Sequence, residues 1–501
     1  MQKWRARIHG FILNPIGLGA IILAILFGLA AAVLWAREMS YAHPGPAIAA
    51  LALTVVILIV GLVINSLKLE TPDSMPRLIG LELLVERWRE FKPKGPDSAI
   101  LSEQFSIAQS IAQRDYKQDI RFIKYFAGFK IKSGAFLVQP GANIPRVLKF
   151  DSVANMKAEI DRYKHCVSQR LGLTPGEPVI PLQRHGTIKG QEWGAITYNL
   201  IGANQADLGR LQTLAEYYLR RDDPQQINNA LNKVFETLRP WWANPTWSDI
   251  CARRRRNTLY GEYDRLTRKQ NQIQQGIAEA GRAMQIEALQ NITANDRHID
   301  LDSNLRLRNP LNWVRDIFGA QQLANWIKRV ELRRDSIVHG DLHTGNILIS
   351  EGEHAQLRAW VIDFPHTHVG PTIQDVARLE ADLKFSLLPD DTLQALNLND
   401  LYDFETSLLP PFKRAVPSFA DLTPDQLPTN QQTNPQLQKT WEIVCLLRGE
   451  AKEYMIGDDA RPYYLALFHA TLPMLYYRNL SSSQKLYVFI SAALLCERLG
   501  G

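Results

Sequence analysis

Two uncharged apolar segments near the N-terminus, residues 16–35 and 48–67, restrict the possible folds of this chain more than any other feature. Each segment is 20 residues long, and a helix of about 20 residues crosses the ~30 Å hydrocarbon core of a bilayer. The connecting loop at 36–47 is short and polar and contains two prolines. The sequence therefore predicts a transmembrane helical hairpin that follows an N-terminal tail at 1–15.

The distribution of basic residues predicts the orientation of this hairpin. Lys3, Arg5 and Arg7 precede the first segment, Lys68 follows the second, and the loop carries only Arg37. Because basic flanks stay on the cytoplasmic side, we expect a multi-pass protein of the inner or plasma membrane with both termini cytoplasmic and the loop outside. A cleaved signal peptide is the alternative for the first segment, and the second segment would then still hold the rest of the chain in the cytoplasm.

The rest of the chain lacks the charge of a nucleic-acid-binding protein. The net charge is +6, and residues 1–70 hold five basic against two acidic side chains, which leaves +3 for everything that follows. We therefore expect no nucleic-acid partner. The arginine run at 253–256 leaves three interpretations open, namely a solvated cationic face, contact with lipid headgroups, or contact with nucleic acid. The four cysteines are too scattered for a disulfide framework or a zinc site.

Residues 68–119 are predicted to form a helical juxtamembrane connector. Their apolar residues recur at helical spacing. These residues are Leu78, Leu81, Leu84, Val85 and Trp88. A strand-rich unit is predicted over 120–201, with strands within 126–138, 144–150 and 193–202 and a helix at about 152–171.

The chain after residue 202 reads as mostly helical. Apolar residues at 259–284 repeat every 3.5 residues, a period typical of a long helix or helical hairpin. This apolar stripe is a possible surface for a homo-oligomer.

The strongest chemical signal lies at 337–349, where apolar residues flank a polar loop. Asp341 precedes Asn346 by five positions, and a predicted strand delivers Asp363 at its end. Phosphoryl transfer requires a carboxylate that accepts the hydroxyl proton and oxygen ligands that hold Mg²⁺ on the nucleotide phosphates. These three residues supply such groups. A metallophosphoesterase, which holds two metals with Asp and His, is a competing interpretation of His339 and Asp341.

The segments HGDLHTGN at 339–346, IDF at 362–364 and GPTIQD at 370–375 resemble the aminoglycoside phosphotransferase and choline kinase superfamily. More narrowly, they resemble the bacterial ternary-complex-associated group of phosphotransferase-like domains. The resemblance covers about 120–480. It implies an α+β, two-lobed, protein-kinase-like fold with a small strand-rich N-lobe at 120–201. The large helical C-lobe would span 202–501, with a helical insertion at about 250–295.

The resemblance also implies ATP and Mg²⁺ as cofactors and a role for individual residues of the loop. Asp341 would be the catalytic base, and Asn346 and Asp363 would be metal ligands. Asp375 would brace the loop from a helix. His339 and His343 would give structural support.

In the N-lobe, the resemblance implies that Lys149 binds the nucleotide phosphates and pairs with Glu159 of the next helix. Ser133 and Gly134 would form the turn that covers the nucleotide. Tyr198 and Leu200 would lie in the hinge that meets adenine.

These features together predict a membrane-anchored phosphotransferase that moves the ATP γ-phosphoryl group to a hydroxyl of a small-molecule acceptor. A nucleotide-binding pseudokinase or signalling scaffold tethered to the membrane is the alternative. The sequence gives only a weak hint of a cationic acceptor, from the carboxylates Glu380, Asp382, Asp390 and Asp391.

Overall fold

The computed structural model describes most of the chain beyond residue 75. The described residues are 76–83, 85–86, 98–126, 134–168, 183–188, 191–200, 203, 209–243, 259–322, 335–352, 356–409, 427, 431–455, 457 and 459–500. The predicted hairpin at 16–67, Ser133 and the arginine run at 253–256 lie outside the described residues. Within the described ranges, no helix is both long enough and apolar enough to span a membrane.

A six-stranded sheet forms the first part of the described chain. Its strands are β1 (Leu78–Ile79), β2 (Ile120–Phe126), β3 (Gly134–Pro140), β4 (Arg146–Ser152), β5 (Gln183–Ile188) and β6 (Gln191–Asn199). Their order is β1-β2-β3-β4-β6-β5, with β1 parallel to β2 and every other pair antiparallel. Strand β2 pairs with β3 and β3 with β4, as expected for short connections, whereas β4 pairs with β6.

Within the predicted connector, Leu78 and Ile79 form a strand and not the helix that the spacing of the apolar residues predicts there, while residues 82–83 and 85–86 are helical. Leu78 pairs with Ile120, and the Ile120 N–H donates to the carbonyl oxygen of Arg77 at 2.9 Å. The Arg77 N–H donates to the Asp119 carboxylate at 2.7 Å. The open edge of β2 thus supplies hydrogen-bond partners that a periodicity argument cannot anticipate.

Two helices complete the strand-rich part. Helix α1 (Ser98–Ile111) packs on β5 and β6, and its residues Ile107 and Ile111 are buried in a core with Phe136 and Phe150. Helix α2 (Val153–Tyr163) follows β4 directly because the Ser152 hydroxyl accepts the Asn155 N–H and caps the first turn.

The remaining part is mainly helical, with short strands around the predicted catalytic loop. Its helices are α3 (Leu214–Arg220), α4 (Pro224–Ala243), α5 (Leu259–Glu262), α6 (Arg265–Arg268), α7 (Gln270–Ala283), α8 (Glu287–Gln290), α9 (Pro310–Trp313), α10 (Ile373–Ser386), α11 (Asp390–Gln394), α12 (Leu398–Leu408), α13 (Pro435–Lys452), α14 (Arg461–Thr471) and α15 (Ser482–Leu499). Its strands are β7 (Gln212–Thr213), β8 (His298–Asp300), β9 (Arg306–Arg308), β10 (Asp335–Val338), β11 (Ile347–Glu351), β12 (Leu357–Val361) and β13 (His368–Pro371). The sequence predicts this order, in which a strand-rich part is followed by a mainly helical part.

The region 259–284 corrects the prediction of one long helix or hairpin. It forms the three helices α5, α6 and α7, and Tyr263, Leu266 and Ile277 are fully buried in the core of this chain. Gly276 allows the closest approach, since a β-carbon there would lie 1.9 Å from the Leu475 carbonyl oxygen. Most described apolar residues of this stripe are thus buried within the chain, while Met284 at its end is 37% exposed.

Candidate active site

The loop 339–346 connects two strands that are each fixed by an antiparallel partner. Strand β10 pairs with β13, and β11 pairs with β12. The Ile362 N–H donates to the Asn346 carbonyl oxygen at 3.0 Å, which extends the β11–β12 ladder by one step. This ladder brings Asn346 beside the strand end that delivers Asp363. The pairing therefore assembles the predicted metal ligands from segments that lie apart in the sequence.

Asp375 on α10 binds the start of this loop. Its carboxylate accepts the backbone N–H groups of His339 at 2.8 Å and Gly340 at 2.9 Å, and the Trp242 indole N–H at 3.3 Å. Gly340 has φ +78°, and a β-carbon there would lie 2.3 Å from the His366 carbonyl oxygen, so the turn requires glycine. Burial raises the pKa of Asp375, against the opposing effect of His339.

The two histidines of the loop have structural contacts. His339 is fully buried, and its Nε2 lies 3.0 Å from the Ile362 carbonyl oxygen, which ties the loop to the end of β12. His343 Nδ1 accepts the Gly345 N–H at 3.1 Å. The next residue, Thr344, donates its backbone N–H at 2.8 Å and its hydroxyl at 2.5 Å to Asp382. Hydrogen bonds thus fix the loop at His339, His343 and Thr344.

Asp341, the predicted base, presents a carboxylate whose side chain is 26% exposed. Its Oδ1 accepts the Nε–H of Arg378 at 3.1 Å. Burial alone would raise the pKa of Asp341, but Arg378 and His343 outweigh burial and hold that pKa well below its usual range. The group is therefore a carboxylate at neutral pH, which is the form that can accept a proton.

Lys149, Glu159 and Asp363 form one cluster. The Lys149 ammonium lies 2.7 Å from Glu159 Oε2 and 2.5 Å from Asp363 Oδ1. Burial alone would lower the pKa of Lys149, but the two carboxylates raise it above its ordinary value. Burial raises the pKa of Glu159 against the opposing effect of Lys149. The cluster joins β4, α2 and the strand end after β12.

Asp363 has a backbone conformation that non-glycine residues rarely adopt. Its φ is +74°, and such strain is found mainly where function requires it. The next residue, Phe364, donates its N–H to Glu159 Oε1 at 3.1 Å. Its ring packs against Tyr163 and Tyr198, with centroids 4.9 Å and 5.8 Å away. These contacts hold Asp363 in its strained geometry.

The oxygen donors at this site fit Mg²⁺. The Asn346 amide nitrogen donates to the Asp341 carbonyl oxygen at 3.0 Å, which leaves the amide oxygen to bind a cation. Asp363 supplies a carboxylate, and Mg²⁺ needs few protein ligands when phosphates and water complete its shell. In the described part of the chain, no group of three or more His, Cys, Asp or Glu is arranged to hold a metal. The metallophosphoesterase interpretation thus finds no supporting cluster among these described residues.

For the other predicted nucleotide-binding residues in the described ranges, the structure gives a position but no side-chain contact specific to a nucleotide. Gly134 begins β3 and pairs with Phe150. Tyr198 ends in the core beside Phe364, and Leu200 is buried after β6, so a hinge role for either would rest on its backbone.

Two features differ from the sequence-based expectation. Arg378 was assigned no role by the sequence, although it lies three residues after Asp375 and therefore on the same side of α10. The acidic hint also changes meaning, because three of its four carboxylates bind other side chains of this chain, while Asp391 is exposed. Glu380 binds Arg448 and Tyr463, at 2.7 Å and 2.6 Å. Asp382 binds Thr344 and Ser386, and Asp390 binds Ser481 and Gln394.

Comparisons with solved structures give several low-identity likenesses. An ethanolamine kinase from Plasmodium vivax has 9% sequence identity and a TM-score of 0.32, and the alignment covers 74% of this chain and 81% of that one. A choline kinase from Cryptosporidium parvum Iowa II has 9% identity and a TM-score of 0.37, with 79% and 95% covered. The GDP complex of wild-type aminoglycoside 2′-phosphotransferase-IIIa has 13% identity and a TM-score of 0.35, with 79% and 98% covered.

Comparison at the sequence level is more specific. No curated protein sequence matches this chain. A family model, ternary complex associated domain 9, matches residues 263–481. That segment contains the loop 339–346, Asp363, and the helix that carries Asp375 and Arg378. The resemblance to the ternary-complex-associated group of phosphotransferase-like domains, predicted from the loop motif, is therefore confirmed for residues 263–481.

Proposed function

We propose that this chain is an ATP-dependent phosphotransferase that transfers the γ-phosphoryl group to a hydroxyl of a small-molecule acceptor. The observation that carries the proposal is the Lys149 ammonium, bound at once by Glu159 and by Asp363, which lies 214 positions later in the chain. Desolvation makes a buried cation between two carboxylates energetically costly. Nucleotide binding would account for such a cluster, since the phosphates would take over part of the pairing with Lys149.

The residues around this cation would divide the work of phosphoryl transfer. Lys149, oriented by Glu159, binds the nucleotide phosphates. Asn346 and Asp363 would hold Mg²⁺, which neutralises phosphate charge when it is bound. Asp341 accepts the hydroxyl proton as the acceptor oxygen bonds to the γ-phosphorus and the bond to the β–γ bridging oxygen breaks. ADP leaves, and the proton is on Asp341.

A nucleotide-binding scaffold without transferase activity remains the second candidate. It is favoured by the contact between Asp341 and Arg378, which engages the base directly. The two functions are separated by measuring Mg²⁺-dependent ATP binding and slow ATP hydrolysis by the purified full-length chain. We expect both. ATP binding without any hydrolysis or transfer to an acceptor would favour the scaffold.

We further propose that the hairpin at 16–67 anchors the protein to the membrane with the catalytic part in the cytoplasm. Support comes from the length of the two apolar segments and from their basic flanks. A C-terminal reporter that is active only outside the cytoplasm should be silent. Activity of that reporter would show the opposite orientation, in which the nucleotide site faces away from the cytoplasmic ATP.

A further inference from the structure

Arg378 is a buried cation beside the predicted base whose hydrogen-bonding capacity is only partly used. Arg378 is only 7% exposed, and its Nε–H donates to Asp341. A guanidinium carries five N–H donors. Its Nη1 is buried and has no hydrogen-bond partner among the described residues. Because an unpaired buried donor on a charged group is costly, a ligand that supplies an acceptor there would be bound favourably.

Aromatic side chains line the same side of the site. The guanidinium of Arg378 lies 5.9 Å from the centroid of the Tyr477 ring. Tyr476 and Tyr477 are half-buried, so this wall is reached by solvent. A planar guanidinium that lies near an aromatic ring and is oriented by a carboxylate is well suited to bind a carboxylate or phosphate of a ligand through two parallel hydrogen bonds.

A second arginine approaches from α6. This helix packs against the turn at Leu472–Tyr476, and Arg265 lowers the pKa of Tyr476 against the larger, opposing effect of burial. Arg265, His343 and His366 lower the pKa of Asp341, as Arg378 does. Arg378 on α10 is the cation that contacts the base directly, at 3.1 Å.

Two of the acidic residues that hinted at a cationic acceptor are already paired within the chain. Glu380 is fully buried against Arg448, and Asp382 accepts hydrogen bonds from Thr344 and Ser386. Next to the base, an acceptor therefore meets the Arg378 guanidinium, which favours an anionic group over a cationic one.

We propose that the acceptor is a small hydroxyl compound that carries an anionic oxygen group, a carboxylate or a phosphate, and that Arg378 binds this group. The proposal rests on the phosphotransferase function proposed above and names its substrate class. Arg378 would hold the anionic group while Asp341, bound to the same side chain, faces the neighbouring hydroxyl. Lys149 and the oxygen ligands are left to the nucleotide.

The test uses the full-length chain in detergent with Mg·ATP and measures ADP release with three sets of hydroxyl compounds. The anionic set is D-glycerate and glycerol 3-phosphate, the neutral set is glycerol, and the cationic set is choline, ethanolamine and kanamycin. We expect the anionic set to stimulate ADP release at least ~10-fold more than the others, since a charge-assisted hydrogen bond is worth about one to two factors of ten in affinity. Direct phosphorylation of the best compound is then confirmed by mass spectrometry.

Variants assign the preference to Arg378. Arg378→Gln should raise KM for the anionic acceptor by ~10–100-fold and leave KM for ATP within about twofold. Arg378→Lys keeps the charge and should lose less. Arg306→Gln is the matched control, since Arg306 is a 68% exposed arginine on β9, and it should behave as the parent.

Four results would overturn the proposal. If the cationic set is preferred, the substrate class is wrong while the phosphotransferase function stands. If Arg378→Gln raises KM for ATP as much as KM for the acceptor, Arg378 binds the γ-phosphate and not the acceptor. If Mg·ATP binds but no anionic compound stimulates ADP release, the substrate class is again rejected. Absence of Mg·ATP binding would reject the proposed function together with it.

Discussion

Replacement of Glu159 by glutamine isolates the contribution of the buried carboxylate to nucleotide binding. Glu159 accepts two hydrogen bonds, from Lys149 at 2.7 Å and from the Phe364 N–H at 3.1 Å. Glutamine keeps the shape and can still accept from Phe364 with its amide oxygen. Its NH₂ group would then face the Lys149 ammonium, and two donors cannot hydrogen-bond to each other.

The magnitude follows from the loss of one charge-assisted hydrogen bond. Such bonds contribute about 1.5–3 kcal/mol, and each 1.4 kcal/mol is about a factor of ten in affinity. Lys149 keeps its contact with Asp363, so it does not become an unpaired buried charge. We therefore expect Glu159→Gln to weaken Mg·ATP binding by ~10–100-fold, because Lys149 is no longer held in position for the phosphates.

The assay is a titration of the purified full-length protein with Mg·ATP by calorimetry, with circular dichroism as a check of folding. The matched control is Glu236→Gln. The side chain of Glu236 is 53% exposed and pairs only with Lys233 on α4, and exposed pairs contribute little. It should bind as the parent does. A folded Glu159→Gln variant that binds Mg·ATP within twofold of the parent would refute the role of the Lys149–Glu159 pair.

Three further outcomes are expected. Asp363→Ala should abolish the Mg²⁺ dependence of ATP binding in the titration, and Asn346→Ala should weaken it less, since a neutral amide is the poorer ligand; equal, undiminished binding by a folded Asp363→Ala protein would contradict the metal assignment. Asp375→Asn should lower turnover by ~10²-fold with ATP affinity within a few-fold, because the loop shifts when one carboxylate oxygen is lost, and the comparison of turnover with affinity checks this. Burial lowers the pKa of His469 to about 3, so the unfolded chain binds this proton more readily and stability falls as the pH drops below about 6.5. Between pH 7 and pH 5 the parent should lose about 2 kcal/mol more unfolding free energy than His469→Phe in urea titrations, and equal losses would show that His469 is not responsible.

The catalytic loop could be predicted from the sequence because its chemistry is local. Asp341 and Asn346 lie in one loop between two apolar strands, and Asp363 ends the strand that pairs with the second of them. The pairing of Lys149 with Glu159 is expected from the family resemblance. It too is local, since strand β4 leads directly into the capped helix α2.

Contacts between distant segments could not be read in this way. The ion pair between Lys149 and Asp363 and the contact between Arg378 and Asp341 depend on tertiary packing, which periodicity does not record. The same reason explains the strand at Leu78–Ile79, which exists because the edge of β2 is available. At 259–284 the apolar period correctly marks a buried face, but the closeness of Gly276 to the backbone of Leu475 is visible only in the fold.

The central claim is that Asp341 is the base of a phosphotransferase. Asp341→Asn keeps the shape and removes the carboxylate, and a positioned general base contributes ~10²–10⁴-fold to rate. The account predicts a loss of phosphoryl transfer of that order, ATP affinity within a few-fold of the parent, and failure to complement a deletion strain. The control Asp391→Asn, at an exposed position on α11, should complement. Full complementation by Asp341→Asn with unchanged ATP binding would contradict the enzyme function and favour the scaffold.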